Sequence, residues 1–274
     1  MAFPFPQVIA FALILPLSAA SAAAQISQQN MPSGTSAAGA DVLDGSLSPE
    51  CRAPADELYR VADLKRVAAI LAERRPLKVL ALGASGGEIG AGPASPTYGS
   101  RLEEELRNVL STRYVDVEAR GIPGEMASDA PEHIENAVTE IRPDLLVWKV
   151  GLHDALARTE IEPFATSVRE LVDWLHSHEI DVILIDPPYT AAVAGDGYYE
   201  SLVGAIRDVA LRTGTPLVLR FSALRFLSQQ KTDAARNQFL LQELGRRCVP
   251  EYVARVIALS IGGSNPPSPR ARAP

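Results

Sequence analysis

Short apolar runs alternate with longer amphipathic segments along the middle of this chain. The apolar runs are rich in β-branched residues and predict strands near Lys78–Leu82, Val115–Ala119, Leu145–Val150, Val182–Ile185 and Leu217–Leu219. The amphipathic segments predict helices near Ala55–Arg74, Gly99–Ser111, Glu132–Ile141, Pro163–His178, Tyr198–Thr213 and, in one or two pieces, Asp233–Leu259. This alternation is typical of a parallel sheet covered by helices. It predicts an α/β fold with three layers, α/β/α, built on a five-stranded parallel sheet.

The two ends of the chain differ in composition from this middle part. Residues 1–25 contain no charged side chain, carry an apolar stretch from Val8 to Leu17 and end in small residues, which predicts a cleaved signal peptide. The alternative, an uncleaved membrane anchor, is disfavoured because a spanning helix needs roughly 20 apolar residues. Residues 26–50 and 262–274 are poor in core-forming residues, which predicts a flexible leader and a disordered tail. We therefore expect a folded domain at residues 51–261 of a periplasmic or secreted protein.

Charge and cysteine content bear on the possible partners of the protein and on the pairing of its cysteines. The formal net charge of −7 disfavours nucleic acid as a partner, because a phosphate backbone attracts basic surfaces. Cys51 and Cys248 are the two cysteines of the chain, and an exported protein meets conditions in which thiols pair. This predicts one disulfide between the start of the domain and its last helix. Two separate buried thiols are the alternative.

Several residues with possible roles in chemistry follow directly after predicted strands. They are Ser85, Gly124, His153 and Asp186. Ligands on doubly wound sheets bind beyond the carboxyl ends of the strands, so we expect these residues to lie near one another. Ser85 is the first candidate for chemistry, because its strand ends abruptly among small residues and presents one hydroxyl.

Four blocks of sequence resemble those of the SGNH hydrolase family, also called GDSL-like lipases and esterases. The first block, Gly83-Ala84-Ser85, is similar to the Gly-Asp-Ser nucleophile segment, and the second, Arg120–Glu125, is similar to the loop whose glycine donates an N–H. The third, Val150–Asp154, is similar to Gly-x-Asn-Asp. The fourth, Gln242–Cys248, is similar to the segment that follows Asp-x-x-His. A fifth segment, Asp186–Tyr189, is similar to the exported bacterial branch. The resemblance implies the flavodoxin-like SGNH fold.

The resemblance also implies roles for individual residues. Ser85 would attack an ester carbonyl, and the backbone N–H groups of Ser85 and Gly124 would stabilise the oxyanion together with a side chain from the third block. In that block His153 stands where the family has asparagine. In the last block Asn237 and Leu240 stand where the family has aspartate and histidine, so the triad is degenerate.

The degenerate block leaves the identity of the general base open. Leucine cannot accept a proton, and no histidine follows His178. His153 is a candidate. In a Ser85–His153 dyad, His153 would act as the general base instead of donating to the oxyanion. The other histidines, His133, His176 and His178, are expected to be partly exposed helix residues.

Two functions are compatible with this sequence. The first is an exported serine ester hydrolase, of the esterase or carbohydrate acetyl-esterase type, acting on a small acyl ester or an acylated carbohydrate. The second is a catalytically impaired SGNH-like domain that binds a glycan, a lipid or a protein. No metal or other cofactor is expected, because two distant cysteines and the His176–His178 pair do not supply a closed set of ligands. No coiled-coil heptad indicates an oligomeric state.

Overall fold

One twisted sheet organises the protein. The computed structural model describes residues 47–83, 96–112, 114–230 and 238–262, without the side chains of residues 238 and 239. Within these residues the strands are β1 (Tyr59–Arg60), β2 (Leu77–Leu82), β3 (Val115–Arg120), β4 (Leu145–Lys149), β5 (Asp181–Ile185) and β6 (Leu217–Val218). The strand order is β1-β6-β5-β4-β2-β3, and every pair is parallel except the pair of β1 with β6. The central strands β4 and β5 are buried along most of their length, which explains their continuous apolar sequences.

Helices cover both faces of the sheet. The helices of the described residues are α1 (Ala55–Leu58), α2 (Lys65–Ala72), α3 (Tyr98–Val109), α4 (Ala130–Ile141), α5 (Leu152–Ala157), α6 (Ile161–Ser177), α7 (Gly197–Thr213), α8 (Arg220–Gln230) and α9 (Gln238–Ile261). Buried residues of α2, α3, α8 and α9 share one core with one face of the sheet. Buried residues of α4, α6 and α7 share a second core with the other face. The predicted three-layer α/β/α architecture is therefore confirmed.

The strand order reverses direction between β2 and β4. The connection after β2 passes through α3 on one face, whereas the connection after β4 passes through α5 and α6 toward the other face. Where successive connections pass to opposite faces of such a sheet, a crevice opens at the carboxyl ends of the strands, and ligands bind there. The fold alone therefore directs attention to the carboxyl ends of β2 and β4.

Two parts of the predicted secondary structure are wrong. The predicted helix Ala55–Arg74 is divided into α1, β1 and α2, because Tyr59 and Arg60 pair with Val218 and Leu217 of β6. This antiparallel strand raises the count from the predicted five strands to six. The prediction also lacks the helices α5 and α8, whereas α9 covers most of the predicted Asp233–Leu259. At Tyr59–Arg60 and at the start of α8, where the Phe221 N–H donates to Asp186, a tertiary contact decides the backbone conformation rather than the local sequence pattern.

Ser48 and Cys51, near the start of the described residues, are bonded to α9. Cys51 and Cys248 form the predicted disulfide, with their Cα atoms 5.3 Å apart. Beside it, the Tyr252 hydroxyl donates to the Cys51 carbonyl oxygen at 2.7 Å, and the Ser48 N–H donates to the Glu251 carboxylate at 2.8 Å. The prediction of a disulfide is therefore confirmed, and the alternative of two separate thiols is wrong.

The assignments made for the two ends of the chain remain predictions. The predicted signal peptide, residues 1–25, and nearly all of the predicted leader and tail lie outside the described residues. In the part of the chain that the structure describes, none of the helices combines the length and apolarity needed to cross a membrane.

Breaking the disulfide should lower the free energy of unfolding. We expect Cys51→Ser and Cys248→Ser each to cost about 2–5 kcal/mol, because the bond closes a long loop that restricts the unfolded chain. Urea denaturation followed by circular dichroism measures the loss. The double variant should match both single variants, since all three lack the same bond. Unchanged midpoints in all three would contradict the prediction.

Candidate functional site

A cavity of about 300 Å³ lies at the carboxyl edge of the sheet, at the crevice between β2 and β4. Residues that follow successive strands line it; those with polar or small side chains include Gly83, Gly121, Glu125, Lys149, Gly151, His153, Asp154, Asp186 and Arg220. We call this space the strand-end cavity. A larger depression of about 870 Å³ lies at the amino edge of the sheet, around Lys65, His176 and Asp181. It is less suited to chemistry, because ligands on doubly wound sheets bind at the carboxyl edge.

Two glycines shape the turns that enter the strand-end cavity. Gly83 follows β2 with a φ of +75°, and a Cβ there would lie 2.6 Å from the carbonyl oxygen of Lys149. Gly151 precedes α5 with a φ of +88°, and a Cβ there would lie 2.9 Å from the Ile206 side chain. Both positions therefore require glycine, for backbone conformation and for space. The two turns bring the ends of β2 and β4 into direct contact at the cavity.

Asp154 ties the loop after β3 to the helix after β4. Its side chain is buried, and its carboxylate oxygens accept the Ala127 N–H at 3.1 and 3.3 Å. Burial raises the pKa of Asp154, and the hydrogen bond from Ala127 opposes that rise. The bond fixes the loop that contains Gly124 beside the first turn of α5, where His153 lies.

The described part of the predicted site falls at the strand-end cavity. His153 is half-buried and lines it, and so do Pro123 and Glu125, the neighbours of Gly124 in the chain. Gly124 itself has a φ of +86° and open space around it. Ser85 lies outside the described residues, two positions after Gly83. The roles assigned to these residues stay predictions.

The last predicted block belongs to the core of the protein. Leu240 lies in α9, where it is partly buried and packs against the core that α9 shares with the sheet. Asn237 lies outside the described residues. The position that the resemblance assigns to a histidine is thus an apolar packing position, which leaves the strand-end cavity without an imidazole from this helix.

The four histidines are all described, and only His153 lines the strand-end cavity. His133 is exposed on α4, and its Nδ1 lies 2.7 Å from Glu125 Oε1. His176 and His178 are exposed at the end of α6, and the His178 ring packs on Trp174 with the ring centroids 4.1 Å apart. Within this chain, His153 is therefore the imidazole best placed to take part in chemistry at the cavity.

The sequence reasoning missed several polar residues of the strand-end cavity. The sequence pattern places Lys149 inside a predicted strand, Glu125 at the end of the second block and Arg220 directly after the last predicted strand. Asp186 is singled out by its position after a strand and by its place in the Asp186–Tyr189 segment of the resemblance. Neither signal gives its contacts, because nothing in the local sequence says which way these side chains point.

Asp186 is the most deeply buried of these residues. Its side chain is inaccessible to solvent, Oδ1 accepts the Phe221 N–H at 2.7 Å, and Oδ2 lies 3.7 Å from Arg207 Nη2. Burial raises the pKa of Asp186 to about 7, although the Phe221 N–H and the nearby guanidinium groups of Arg207 and Arg220 favour the charged form. This carboxyl group holds the start of α8 against the end of β5.

Comparison with known proteins identifies the family. A sequence model of the non-GDSL lipase-like family matches residues 50–262. The chain belongs to the non-GDSL lipase-like family. This membership confirms the resemblance to SGNH hydrolases that the sequence blocks indicated, whereas assignment to an exported branch stays a prediction. No curated protein matches the chain.

Solved structures share the fold of this non-GDSL lipase-like protein. The acetyl xylan esterase AlAXEase has a TM-score of 0.55 and 21% identity, with 66% of this chain and 100% of that chain covered. A lipase/acylhydrolase from Enterococcus faecalis has a TM-score of 0.53 and 19% identity, covering 66% and 95%. A variant of an acetyl xylan esterase from Geobacillus stearothermophilus has a TM-score of 0.53 and 17% identity, covering 68% and 94%. Identities this low show a common fold.

Asp186 should make stability depend on pH. Its pKa is raised on folding from 3.8 to about 7, so between these values the folded state holds a proton that the unfolded state has released. Stability should therefore fall as pH rises through this range, by at most about 1.4 kcal/mol per pH unit. Asp186→Asn should remove this dependence in urea titrations from pH 5 to pH 8. Asp116→Asn, at an exposed position on β3, should keep the wild-type slope; equal slopes in all three proteins would contradict the prediction.

Proposed function

We propose that this non-GDSL lipase-like protein hydrolyses an acyl ester in the strand-end cavity, with the Ser85 hydroxyl as the nucleophile. The observation that carries this proposal is the convergence of the Gly83 turn, the Gly124 loop and His153 at one cavity of the family's fold. An ester hydrolase needs a nucleophile, a proton acceptor and hydrogen-bond donors in one place. The candidates for all three come from the ends of neighbouring strands.

The walls of the strand-end cavity suit an ester. Ile122 and Leu152 line it and are 44% and 36% exposed, so the opening offers apolar surface. Deeper in, the lining includes Lys149, His153 and Asp154. An acyl ester likewise has an apolar part and a polar part, because its apolar acyl group adjoins a polar carbonyl. Apolar walls with a few convergent polar groups are typical of small-molecule sites.

His153 is the proposed general base. In the first step the Ser85 oxygen bonds to the carbonyl carbon, the carbonyl electron pair moves to oxygen, and the hydroxyl proton passes to His153. The bond to the alcohol then breaks, and the alcohol leaves with that proton. Water repeats the sequence on the acyl-enzyme and releases the carboxylic acid. The Gly124 N–H and the Ser85 N–H are the proposed backbone donors to the oxyanion.

The proposed substrate is a small acyl ester or an acylated carbohydrate. The acetyl xylan esterases that share the fold favour the second class, although their identity to this chain is low. Export to the periplasm or the medium is part of the proposal. It is supported by the composition of residues 1–25 and by the Cys51–Cys248 disulfide, because such bonds persist in oxidising compartments.

One observation favours a second candidate function, a binding domain without esterase activity. Leu240, partly buried and packed against the core, stands at the position of the family's histidine, so the usual proton acceptor is missing. Such a domain would bind a glycan, a lipid or a protein at the same cavity. Direct tests of Ser85 separate the two candidates.

Ser85→Ala should abolish hydrolysis of short p-nitrophenyl esters and labelling by a fluorophosphonate probe. Losing the nucleophile typically removes several orders of magnitude of rate, down to the background of the oxyanion donors. Release of p-nitrophenol and gel fluorescence measure the two effects. Ser201→Ala, at an exposed position on α7, is the matched control and should behave as the wild type. A folded, oxidised wild-type protein that neither hydrolyses nor labels would favour the binding domain.

Replacing His153 should distinguish a base from an oxyanion donor. His153→Ala removes both roles, whereas His153→Asn restores the family's donor but cannot accept a proton. If His153 is the base, both variants should lose at least about 100-fold in kcat, within the range that general base catalysis supplies. Esterase assays of the two variants measure this. An asparagine variant that keeps wild-type activity would rule out the Ser85–His153 dyad.

A further inference from the structure

Glu125 follows Gly124 in the chain and lines the strand-end cavity. Its side chain is partly buried, with 16% of its surface exposed. The Glu125 N–H donates to the Ile122 carbonyl oxygen at 3.2 Å, which closes the turn that contains Gly124. A Cβ at Gly124 would meet no atom within 4 Å, so there is open space next to Glu125. A carboxyl group therefore adjoins the backbone N–H that the proposed function assigns to the oxyanion.

The His133 ring on α4 orients the Glu125 side chain. His133 Nδ1 lies 2.7 Å from Glu125 Oε1. This contact leaves Glu125 Oε2 without a hydrogen-bond partner among the described residues. Oε2 is not one of their buried unpaired atoms, so it keeps contact with solvent. One oxygen is thus held by the protein, while the other can accept a hydrogen bond from a bound molecule.

The other two carboxyl groups of the described lining are less available to a ligand. Both oxygens of Asp154 accept the Ala127 N–H, at 3.1 and 3.3 Å. Asp186 Oδ1 accepts the Phe221 N–H at 2.7 Å, and Asp186 Oδ2 lacks a hydrogen-bond partner but is buried. Within the described lining, Glu125 is therefore the carboxyl group best placed to accept a hydrogen bond from a ligand.

The position of Glu125 indicates which part of a substrate it would contact. Hydroxyl groups of a neutral ligand donate hydrogen bonds to a carboxylate, whereas a negatively charged group would be repelled. The Cα atoms of Gly124 and Glu125 are about 3.8 Å apart, as for all neighbours in a chain. A substrate whose ester oxygen binds at Gly124 therefore brings the atoms next to its ester close to Glu125. Esters of polyols and carbohydrates carry a hydroxyl group there, and simple alkyl esters do not.

The geometry points to Glu125 as the residue that binds a hydroxyl group in the alcohol part of the substrate, with His133 as the positioning residue that orients its carboxylate. The inference rests on the proposed ester hydrolysis, which places the ester at Gly124. It narrows the substrate to an ester of a polyol or a carbohydrate. The hydroxyl group donates to Glu125 Oε2, so the ester is held beside the oxyanion donors. Glu125 forms no bond to the reacting atoms and transfers no proton.

Binding of methyl β-xylopyranoside tests this assignment without depending on catalysis. The glycoside is titrated into the oxidised protein by NMR, with 2-methoxytetrahydropyran, the same ring without hydroxyl groups, as the comparison. We expect the wild type to bind the xyloside at least about tenfold more tightly than this comparison, and Glu125→Ala to remove the difference. Glu125→Gln should keep part of the affinity, because its amide oxygen still accepts a hydrogen bond.

Variants of α4 test the positioning role of His133. His133→Ala should weaken xyloside binding about two- to fivefold, as for loss of a partly exposed pair. His133→Gln restores an N–H donor and should recover part of this loss. Glu135→Gln, at an exposed position on α4, is the matched control and should bind as the wild type does. Binding by His133→Ala equal to that of the wild type would remove His133 from the inference.

Glycerol is the second probe, because the hydroxyl group could belong to a carbohydrate or to a glycerol ester. Tighter binding of the xyloside than of glycerol indicates a carbohydrate ester, and the reverse order indicates a glycerol ester. Both kinds of binding should be lost in Glu125→Ala. Binding of either probe that does not depend on Glu125 would count against the inference.

The outcomes separate this inference from the proposed function. If the wild type does not distinguish the two ring compounds, or if folded Glu125→Ala binds the xyloside equally well, the inference is wrong. If Ser85-dependent hydrolysis exists, Glu125→Ala should raise KM for an acetylated methyl xyloside at least about tenfold and change kcat/KM for p-nitrophenyl acetate less than about twofold. Equal losses on both esters would overturn the inference while the proposed function stands. Xyloside binding through Glu125 without Ser85-dependent hydrolysis would sink the proposed function alone.

Discussion

The parallel pairing of β2 with β4 is the constraint on which the rest of the site depends. The register places Leu82 beside Trp148, so both strands end at the same level and the next residues meet directly. Only a glycine at position 83 fits against the Lys149 backbone there. The described helices that follow β2 and β4, α3 and α6, pack on opposite faces of the sheet, which is the arrangement that opens a crevice at the strand ends. The cavity therefore results from the order of the strands and from the absence of a side chain at Gly83.

The last helix shows how this family member differs from the family's sequence pattern. In α9, Leu240 packs against the core, Cys248 forms the disulfide, and Glu251 and Tyr252 bind the first described residues. These are structural tasks. The helix that the resemblance associates with the histidine therefore serves packing, and the described polar groups of the strand-end cavity come from the ends of β3, β4, β5 and β6.

Much of the fold was predictable because its signals are local. Buried parallel strands require continuous apolar sequences, and β4 and β5 have them. The segment Tyr59–Arg60 gave no such signal, because it becomes a strand only through pairing with β6. The helix α8 likewise depends on Asp186, which accepts the N–H of Phe221 in its first turn across a separation of 35 residues.

The candidate site was predictable only in part, for a similar reason. Glycines and His153 after strand ends could be found from position alone, since the fold class brings strand ends together. The position of the Lys149 side chain could not, because it depends on the ring of Tyr98, 51 residues earlier in the chain, and on the space at Gly83. A pattern along the chain identifies elements, whereas a charged side chain gains its role from neighbours that belong to other elements.

The disulfide also has a topological consequence. It joins residues 51 and 248, and all strands of the described sheet lie between them in the chain. A protease that cuts a surface loop within this interval leaves the two fragments covalently attached. Such nicked molecules would migrate as one species on a gel until a reductant is added. In a compartment rich in proteases, the bond therefore preserves the chance that a cleaved chain keeps its sheet intact.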